Sequence, residues 1–539
     1  MKRFLLLCAA ALFVIPAPSA KADGPRIVNY VNFVRKNDYR KADSEILLYE
    51  ATCQEVRLTE QYGIPATFLL QYDALISTPY VRLMKGLPSG CEVGAWLEMN
   101  RPHVEAAGLK WRGDHEWVYA AHIAFLTGYT PQEREKLIDA YMAKFLETFG
   151  TYPRSVGSWY IDAHSLAYMV EKYGVESACI CRDQIGTDGY TLWGGYWNQA
   201  YYPSRRNTYM PAQTDEGKID VPVFRMLGPD PIYQYDKGLG SNGQGCDSME
   251  PVYSRSGADP AWVSYYMQSH SGQPCMAFSY VQVGQENSFT WPRIAPGLLM
   301  QMEQLDALRR EGKIVFQSLG ESGRWFRSSF RQTPATAVTA LRDVRGEGRQ
   351  SVWYNSRRYR LNLLAEPGDF RIRDIHVFDE KFASDYIDTP GTSPRFAFWT
   401  LPVVDGFCWS SDGEIAGLRV VDLKNGKPFD FRDLEVEELS VSDLRVSGCD
   451  AAGNRLVITM SESSVDVRMK PVRPVRWALD ISWASGAEVP FGKVSGKLAR
   501  ATFHGFDYSV RLGRGSFRPV PSGSSLRMLP ASNEITILL

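Results

Sequence analysis

From Arg26 to about Phe330 the chain repeats one pattern, a short β-branched or apolar run followed by a stretch of helical periodicity. RIVNYVNFV (Arg26–Val34) reads as a strand, Ser44–Tyr62 as an amphipathic helix and IPATFLL (Ile64–Leu70) as a second strand. Glu92–Leu97 predicts a third strand. QEREKLIDAYMAKFLETF (Gln132–Phe149) predicts a helix, opened by Thr130 as N-cap and by Pro131 in a position where its missing N–H costs nothing. Arg154–Ile161, Val175–Ile180, Val221–Leu227, Cys275–Val283 and Lys313–Leu319 read as further strands, with helices over Ala163–Tyr173, Pro260–Ser269 and Ala295–Arg310. Strands that alternate with helices build a parallel sheet, and over residues 23–330 its economical closure is a (β/α) barrel of seven or eight units.

After Ser329 helical periodicity disappears. Short alternating segments such as Ile375–Phe378, Leu418–Val421, Leu456–Thr459 and Ala501–Tyr508 are separated by Gly, Asp, Asn and Pro turns, which predicts an all-β region over 331–539 of one or two sandwich modules. The expected fold class is therefore α/β, a (β/α) barrel followed by a C-terminal β-sandwich. No low-complexity linker separates the two, so they are expected to pack directly on each other.

MKRFLLLCAAALFVIPAPSAKA has two basic residues, an apolar run from Phe4 to Ile15 and small residues at Ala-x-Ala spacing, the pattern of a signal peptide over residues 1–22. The run is too short to span a bilayer and no later stretch reaches about 18 apolar residues, so the protein is expected to be periplasmic or extracellular, without stable membrane insertion. A net charge of −1 gives no field to draw it to nucleic acid. Eight cysteines follow the signal segment, and Cys246 with Cys275 or Cys408 with Cys449 are candidate bridges in an oxidising compartment. Cys179-Ile-Cys181 lacks the usual zinc spacing and reads as two core thiols.

In β/α barrels the reacting groups stand at the C-terminal ends of strands. Those ends carry Asn32, Arg35 and Asp38, then Gln71 and Asp73, Trp96 and Glu98, Trp159 and Asp162, Arg182, Asp183 and Gln184, Glu286, and Glu321. Tryptophan beside carboxylates is the composition of a carbohydrate cleft, where indoles stack on sugar rings and acids bind hydroxyls. After the fifth strand comes CRDQIGTDGYTLWGGYWNQAYYPS (Cys181–Ser204), whose glycines read as a loop and whose aromatics, Trp193 and Trp197 above all, suit a wall over a sugar subsite. GxSxG, GxxxxGK[ST], HExxH and paired CxxC motifs are absent, which argues against serine-hydrolase and nucleotide chemistry. His103, His115, His122 and His164 show neither HxH nor HxxxH spacing.

IVNYVNFV, YGIPATFLLQYDAL, CEVGAWLEMNRPHVE and YPRSVGSWYIDAHSLAYMVEKYGVESACICRDQ, in that order, resemble the glycoside hydrolase/deacetylase superfamily of irregular β/α barrels, and DQIGTDGYTLWGGYWNQAYYPS looks like a run found in exported members. Deacetylases of that superfamily carry an Asp-Asp pair after the first strand, where this chain has Asn29, Asn32 and Arg35. They carry His-x-x-x-His after the third, where it reads Trp96-Leu-Glu98-Met-Asn100-Arg-Pro-His103. The glycosidase branches use carboxylates near the fourth and seventh strands, and the resemblance implies Asp162 and Glu286 as counterparts.

These readings lead to an exported, cofactor-independent glycoside hydrolase acting on an oligo- or polysaccharide. Asp162 is expected as nucleophile or base, Glu286 as general acid and Asp183 as a further acid of the site. Glu98, Arg182, Trp96, Trp159, Trp193 and Trp197 are expected to bind sugar. Two alternatives stay open: a metal-dependent deacetylase with ligands drawn from Asp162, His164, His115 and His122, and a non-catalytic glycan-binding protein.

Overall fold

β1 (Arg26–Val34) is buried from its second residue to its last, as a parallel strand covered on both faces must be. The structure, a computed structural model, describes residues 24–241, 243–519 and 525–539; the signal-peptide reading falls outside them. The second half of β1 pairs with β2 (Thr67–Leu70), and β3 (Glu92–Trp96), β4 (Ser155–Gly157) and β5 (Ser177–Cys181) follow in parallel. A hairpin of β6 (Gln184–Thr187) and β7 (Tyr190–Trp193) and a short β8 (Ala200–Tyr201) intervene before β9 (Val223–Met226) pairs with β5. β10 (Ser279–Val283) and β11 (Val315–Gln317) then both return to the first half of β1. The result is a nearly closed barrel of eight parallel strands.

The seam between β9 and β10 is closed by side chains. Gln199 accepts from Arg225 N through its backbone oxygen at 3.0 Å and from Tyr280 N through Oε1 at 2.7 Å, while Gln282 Oε1 accepts from Leu227 N at 2.8 Å. Two glutamines thus satisfy amides that a ladder would otherwise pair. Inside, β4 runs so close to its neighbours that a Cβ on Gly157 would lie 2.5 Å from Leu69 Cδ1 and 2.8 Å from Cys179 Sγ. Cys179 and Cys181 are core thiols.

The helix of residues Pro131–Phe149 begins in a capping box of Thr130 and Glu133 with Pro131 in the first turn, as its sequence predicts. Arg154–Ile161 contributes only Ser155–Gly157 as strand. The link from β5 to β9 differs most: it holds the β6–β7 hairpin instead of a helix, with Gly186, Gly189 and Gly194 at positive φ in its turns. Those glycines mark bends between extended pieces, not a loop throughout.

At the N-terminal rim, Glu92 accepts from Thr67 Oγ1, Ser155 Oγ and Gly320 N at 2.7–2.9 Å. Glu321 completes the capping box of the Leu319–Ser329 helix with Ser318. Both acids serve structure.

The C-terminal region is one sandwich. β12 (Thr336–Ala340), β13 (Gln350–Asn355), β14 (Tyr359–Glu366) and β15 (Asp369–Val377) begin one antiparallel sheet, a second antiparallel sheet faces it, and a single apolar core takes residues from both. β16 (Ala397–Trp399) leaves the sandwich to pair in parallel with β7, from Ala397–Thr191 to Trp399–Trp193. The two regions therefore share a sheet. Among the described residues the eight cysteines form no disulfide. The bridges expected for Cys246 and Cys408 do not arise, because Cys246 faces Arg182 and Cys408 lines a cavity in the sandwich.

Glu55, in the helix of residues Ser44–Tyr62, is fully buried and neither carboxyl oxygen has a hydrogen-bond partner. Burial pushes its pKa well above the usual 4.5. The folded chain keeps this proton where the unfolded chain releases it. Stability is therefore unpenalised below about pH 4.5 and falls by about 1.4 kcal/mol per pH unit above it, until the folded group also ionises. Glu55→Gln is expected to leave thermal unfolding near pH 4 almost unchanged and to raise the melting temperature near pH 7. Equal shifts at both pH values would show that the buried charge is not the cause.

Candidate active site at the barrel mouth

Arg35, one residue past β1, is the centre of the mouth. Its backbone is bracketed by Asn287, whose Oδ1 accepts from Arg35 N at 3.0 Å and whose Nδ2 donates to Arg35 O at 2.8 Å. That clamp points a fully buried guanidinium at two acids. Nη2 lies 2.8 Å from Glu98 Oε2 and 2.8 Å from Glu286 Oε2. Trp96 Nε1 donates to the same Glu98 oxygen at 2.9 Å. Glu98 is 2% exposed and Glu286 10%, so Glu286 is the more open of the pair. Burial pushes the Glu286 carboxyl up, Arg35 pulls it back and Glu98 adds to the rise.

Around this pair stand aromatic faces. Phe33 stacks on Trp96 at 4.4 Å, and half-buried Trp159 meets Trp96 edge-on at 5.2 Å. Trp117 covers the Arg35 guanidinium at 4.4 Å and also takes Arg40 at 4.8 Å. Asp38 is saturated by Arg40. Asp73, pushed up to about 6 by burial, accepts from the backbone amides of Lys36 and Asn37. Both acids shape the loop that carries Arg35. Gln285 Nε2 donates to Glu250 at 3.1 Å, and Arg182 reaches Glu250 at 3.6 Å and Cys246 Sγ at 2.7 Å. Asp188, at the tip of the β6–β7 hairpin, interacts across the mouth with Arg182, Arg40, Glu98 and Arg35.

Glu98, Trp96, Trp159, Arg182 and Glu286 therefore gather at one mouth. Asp162 does not join them as a free acid. It caps the Ala163–Tyr173 helix through Ser165 N at 2.9 Å, accepts from Ser165 Oγ at 2.7 Å and pairs with buried Arg134 at 3.0 Å. A carboxylate held by an N-cap and a buried guanidinium is not available to attack a sugar, so its expected role as nucleophile or base is corrected to a structural one. Asp-x-x-Ser ahead of a helix is the signal that could have found this.

Asp183 is likewise committed. It accepts from Arg225 Nη2 at 2.9 Å, from Gly194 N at 3.1 Å, from Tyr209 OH and from Arg360 of β14. Burial pushes its carboxyl up, but Arg360 and Arg225 outweigh burial and hold it below the usual range. Trp193 and Trp197 are 1% exposed. Trp197 stacks flat on Trp353 of β13 at 3.7 Å and 2°, and Trp193 Nε1 donates to Asp405 at 2.9 Å. The aromatic run is the core between barrel and sandwich, and its two tryptophans have no face left for sugar. Trp117, Arg40 and Glu250 join the mouth without having been singled out in the sequence, although Trp117, in KWRGDHEWVY, stands in a run of mixed charge and aromatic character; Asp188 stands in the aromatic run after β5.

No family model matches the sequence, and no curated protein matches it. Among solved structures, a candidate glycoside hydrolase/deacetylase from Parabacteroides distasonis superposes at TM-score 0.52 and 15% identity, over 70% of this chain and 90% of that one. The two share a fold. A candidate polysaccharide deacetylase from Mycobacterium smegmatis (12% identity, 58% of this chain, 94% of that chain, TM-score 0.36) and a family 4 acetyl xylan esterase from Clostridium thermocellum in complex with a cobalt ion (12%, 55%, 89%, 0.25) are also similar.

Among the described residues, those at the mouth do not fit a divalent cation. Arg35 places a fixed positive charge between the two acids of the mouth. His103 lies buried with Nε2 2.8 Å from Leu137 O and its ring stacked on Tyr72, and Asn100 caps the next helix. His164 pairs with Glu135, and His115 stacks on Tyr39 at 4.1 Å. Among the described residues no group of three His, Cys, Asp or Glu could hold a metal ion.

Asp183→Asn leaves two buried guanidinium groups short of charge, a change that costs about 3–5 kcal/mol. The variant is expected to melt several degrees lower. An unchanged melting temperature with lost activity would instead assign Asp183 to the chemistry.

Proposed function

We propose that the chain is an exported carbohydrate-active enzyme that cleaves glycosidic bonds with Glu286 as general acid and Glu98 as nucleophile. One observation carries this reading: the two carboxyl groups share Arg35 Nη2 at 2.8 Å each, so their facing oxygens lie within twice that distance. Retaining glycosidases hold their pair about 5–5.5 Å apart. Glu286, pushed up by burial and by Glu98 against the pull of Arg35, is the carboxyl placed to give the leaving glycosidic oxygen the proton it needs. The hydrogen bonds from Arg35 and Trp96 both fall on Glu98 Oε2, which leaves Oε1 to attack the anomeric carbon.

In the first step the carbon–oxygen bond breaks, the Glu286 proton goes to the departing alcohol and a Glu98 ester forms. In the second, Glu286 takes a proton from water, whose oxygen displaces Glu98. Trp159, half-buried at the edge of the pair, offers a face for a sugar ring, and Asp188 and Arg182 lie where hydroxyls would be bound.

The deacetylase reading draws on the fold, and the likeness to a candidate glycoside hydrolase/deacetylase supports it equally. The two readings release different products. Reducing-sugar and acetate release from a panel of plant, host and microbial glycans, with and without chelator, therefore tests both. Glu286→Gln and Glu98→Gln are each expected to lower chelator-insensitive hydrolysis about 100-fold or more, and Glu286→Gln to remove the fall in rate at alkaline pH that deprotonation of this acid imposes. Acetate release that stops with chelator would replace the glycosidase reading by a deacetylase. Full hydrolysis by Glu98→Gln would overturn the pairing.

A further inference from the structure

A cavity of about 480 Å³ opens in the sandwich, away from Arg35, Glu98 and Glu286. That volume lies within the range of small-ligand pockets. Trp399 of β16 forms one wall and is half-buried. Phe503 meets it edge-on at 6.3 Å and 82°, with His504 at 6.3 Å. His504 takes φ 49 at the hairpin tip before Gly505, which turns its ring toward Phe503 at 4.5 Å. Among the described residues no ring lies flat on the Trp399 indole, whereas Trp197 is covered flat by Trp353.

The carboxylate of the floor is already held, while the buried Nε2 of His376 beside it has no hydrogen-bond partner among the described residues. Asp405 accepts from Trp193 Nε1 at 2.9 Å, Phe407 N at 3.0 Å and Cys408 N at 2.8 Å, and lies 3.3 Å from His376 Nε2. Burial pushes its carboxyl up, but His376 and these donors outweigh burial and hold it at about 2. The rim of the cavity adds the hydroxyls of Ser411 and Ser485 and the carboxylate of Glu488. Among the described residues no lysine or arginine lines it. An anion would meet Asp405 and Glu488, with only the imidazoles of His376 and His504 to set against them.

We propose that this cavity is a second, non-catalytic binding site for a neutral sugar unit, stacked on Trp399 with its hydroxyls on the serine and Glu488 side. The carbohydrate class rests on the barrel reading, but the site uses none of the barrel's residues. It would hold a polymer while the barrel mouth works on another part of it.

Native affinity electrophoresis of the full chain in gels containing xylan, glucomannan, laminarin or hydroxyethylcellulose tests this. At least one neutral polymer is expected to retard the wild type. Trp399→Ala should weaken that retardation at least tenfold, Trp399→Phe should restore part of it, and Glu286→Gln should leave it in place. Melting temperatures of the Trp399 variants identify any loss that comes from misfolding. Retardation that survives Trp399→Ala combined with His504→Ala, or retardation only by anionic polymers, or none by any polymer, would overturn the proposal. If the barrel releases no product while Trp399-dependent retardation persists, the glycosidase reading fails and this site stands.

Discussion

One ion network fixes how the two halves of this protein meet. Arg360 of the sandwich holds Asp374 through two bonds at 2.8 Å and reaches Asp183 at the root of the β6–β7 hairpin, which Arg225 of the barrel also grips. All four side chains are buried. Removing any one would strand charge away from water, which costs far more than an exposed pair contributes. The surrounding indoles of Trp193, Trp197 and Trp353 lie 5.5–5.9 Å from the Arg360 guanidinium. The network therefore decides the fate of the aromatic run: its rings are the dry shell around a buried cation.

This explains which parts of the fold are legible in sequence and which are not. Helix starts such as Thr130-Pro131-x-Glu133 are local, and one stretch of chain contains all the chemistry needed to read them. The strand order follows from alternation and the need for crossovers. The hairpin after β5 and the tryptophan behind it are not legible, because their partners, β16 for the hairpin and Trp353 of β13 for Trp197, lie some two hundred and one hundred and sixty residues further on. Glycine and tryptophan side by side look the same whether a ligand or another domain covers the rings; only burial separates the cases.

The site divides in the same way. Glu98, Glu286, Trp96, Trp159 and Arg182 are recognisable as polar or aromatic residues at strand ends, and they do meet. Their pairing is invisible, since Arg35 and Glu286 are joined by a clamp from Asn287 that spans 252 residues. Asp162 and Asp183 satisfy the same rule of position as Glu98 and Glu286. What sets them apart is their partners: a helix N-terminus and Arg134 for one, two arginines for the other.

Arg35 also bears on what chemistry the barrel can support. A divalent cation in such a mouth would polarise a carbonyl and acidify bound water, the two contributions a metal-dependent deacetylation draws on. A guanidinium offers charge and directed N–H groups but no vacant coordination position, and it does not lose its proton. What it can do is hold two carboxyl groups closer than their repulsion would allow, with one of them pushed toward its protonated form by burial and by the other. Of the two, Glu286 is the one that burial pushes toward its protonated form. The glycosidase proposal therefore rests on the position of one arginine, and the likeness of the whole barrel shows only the fold.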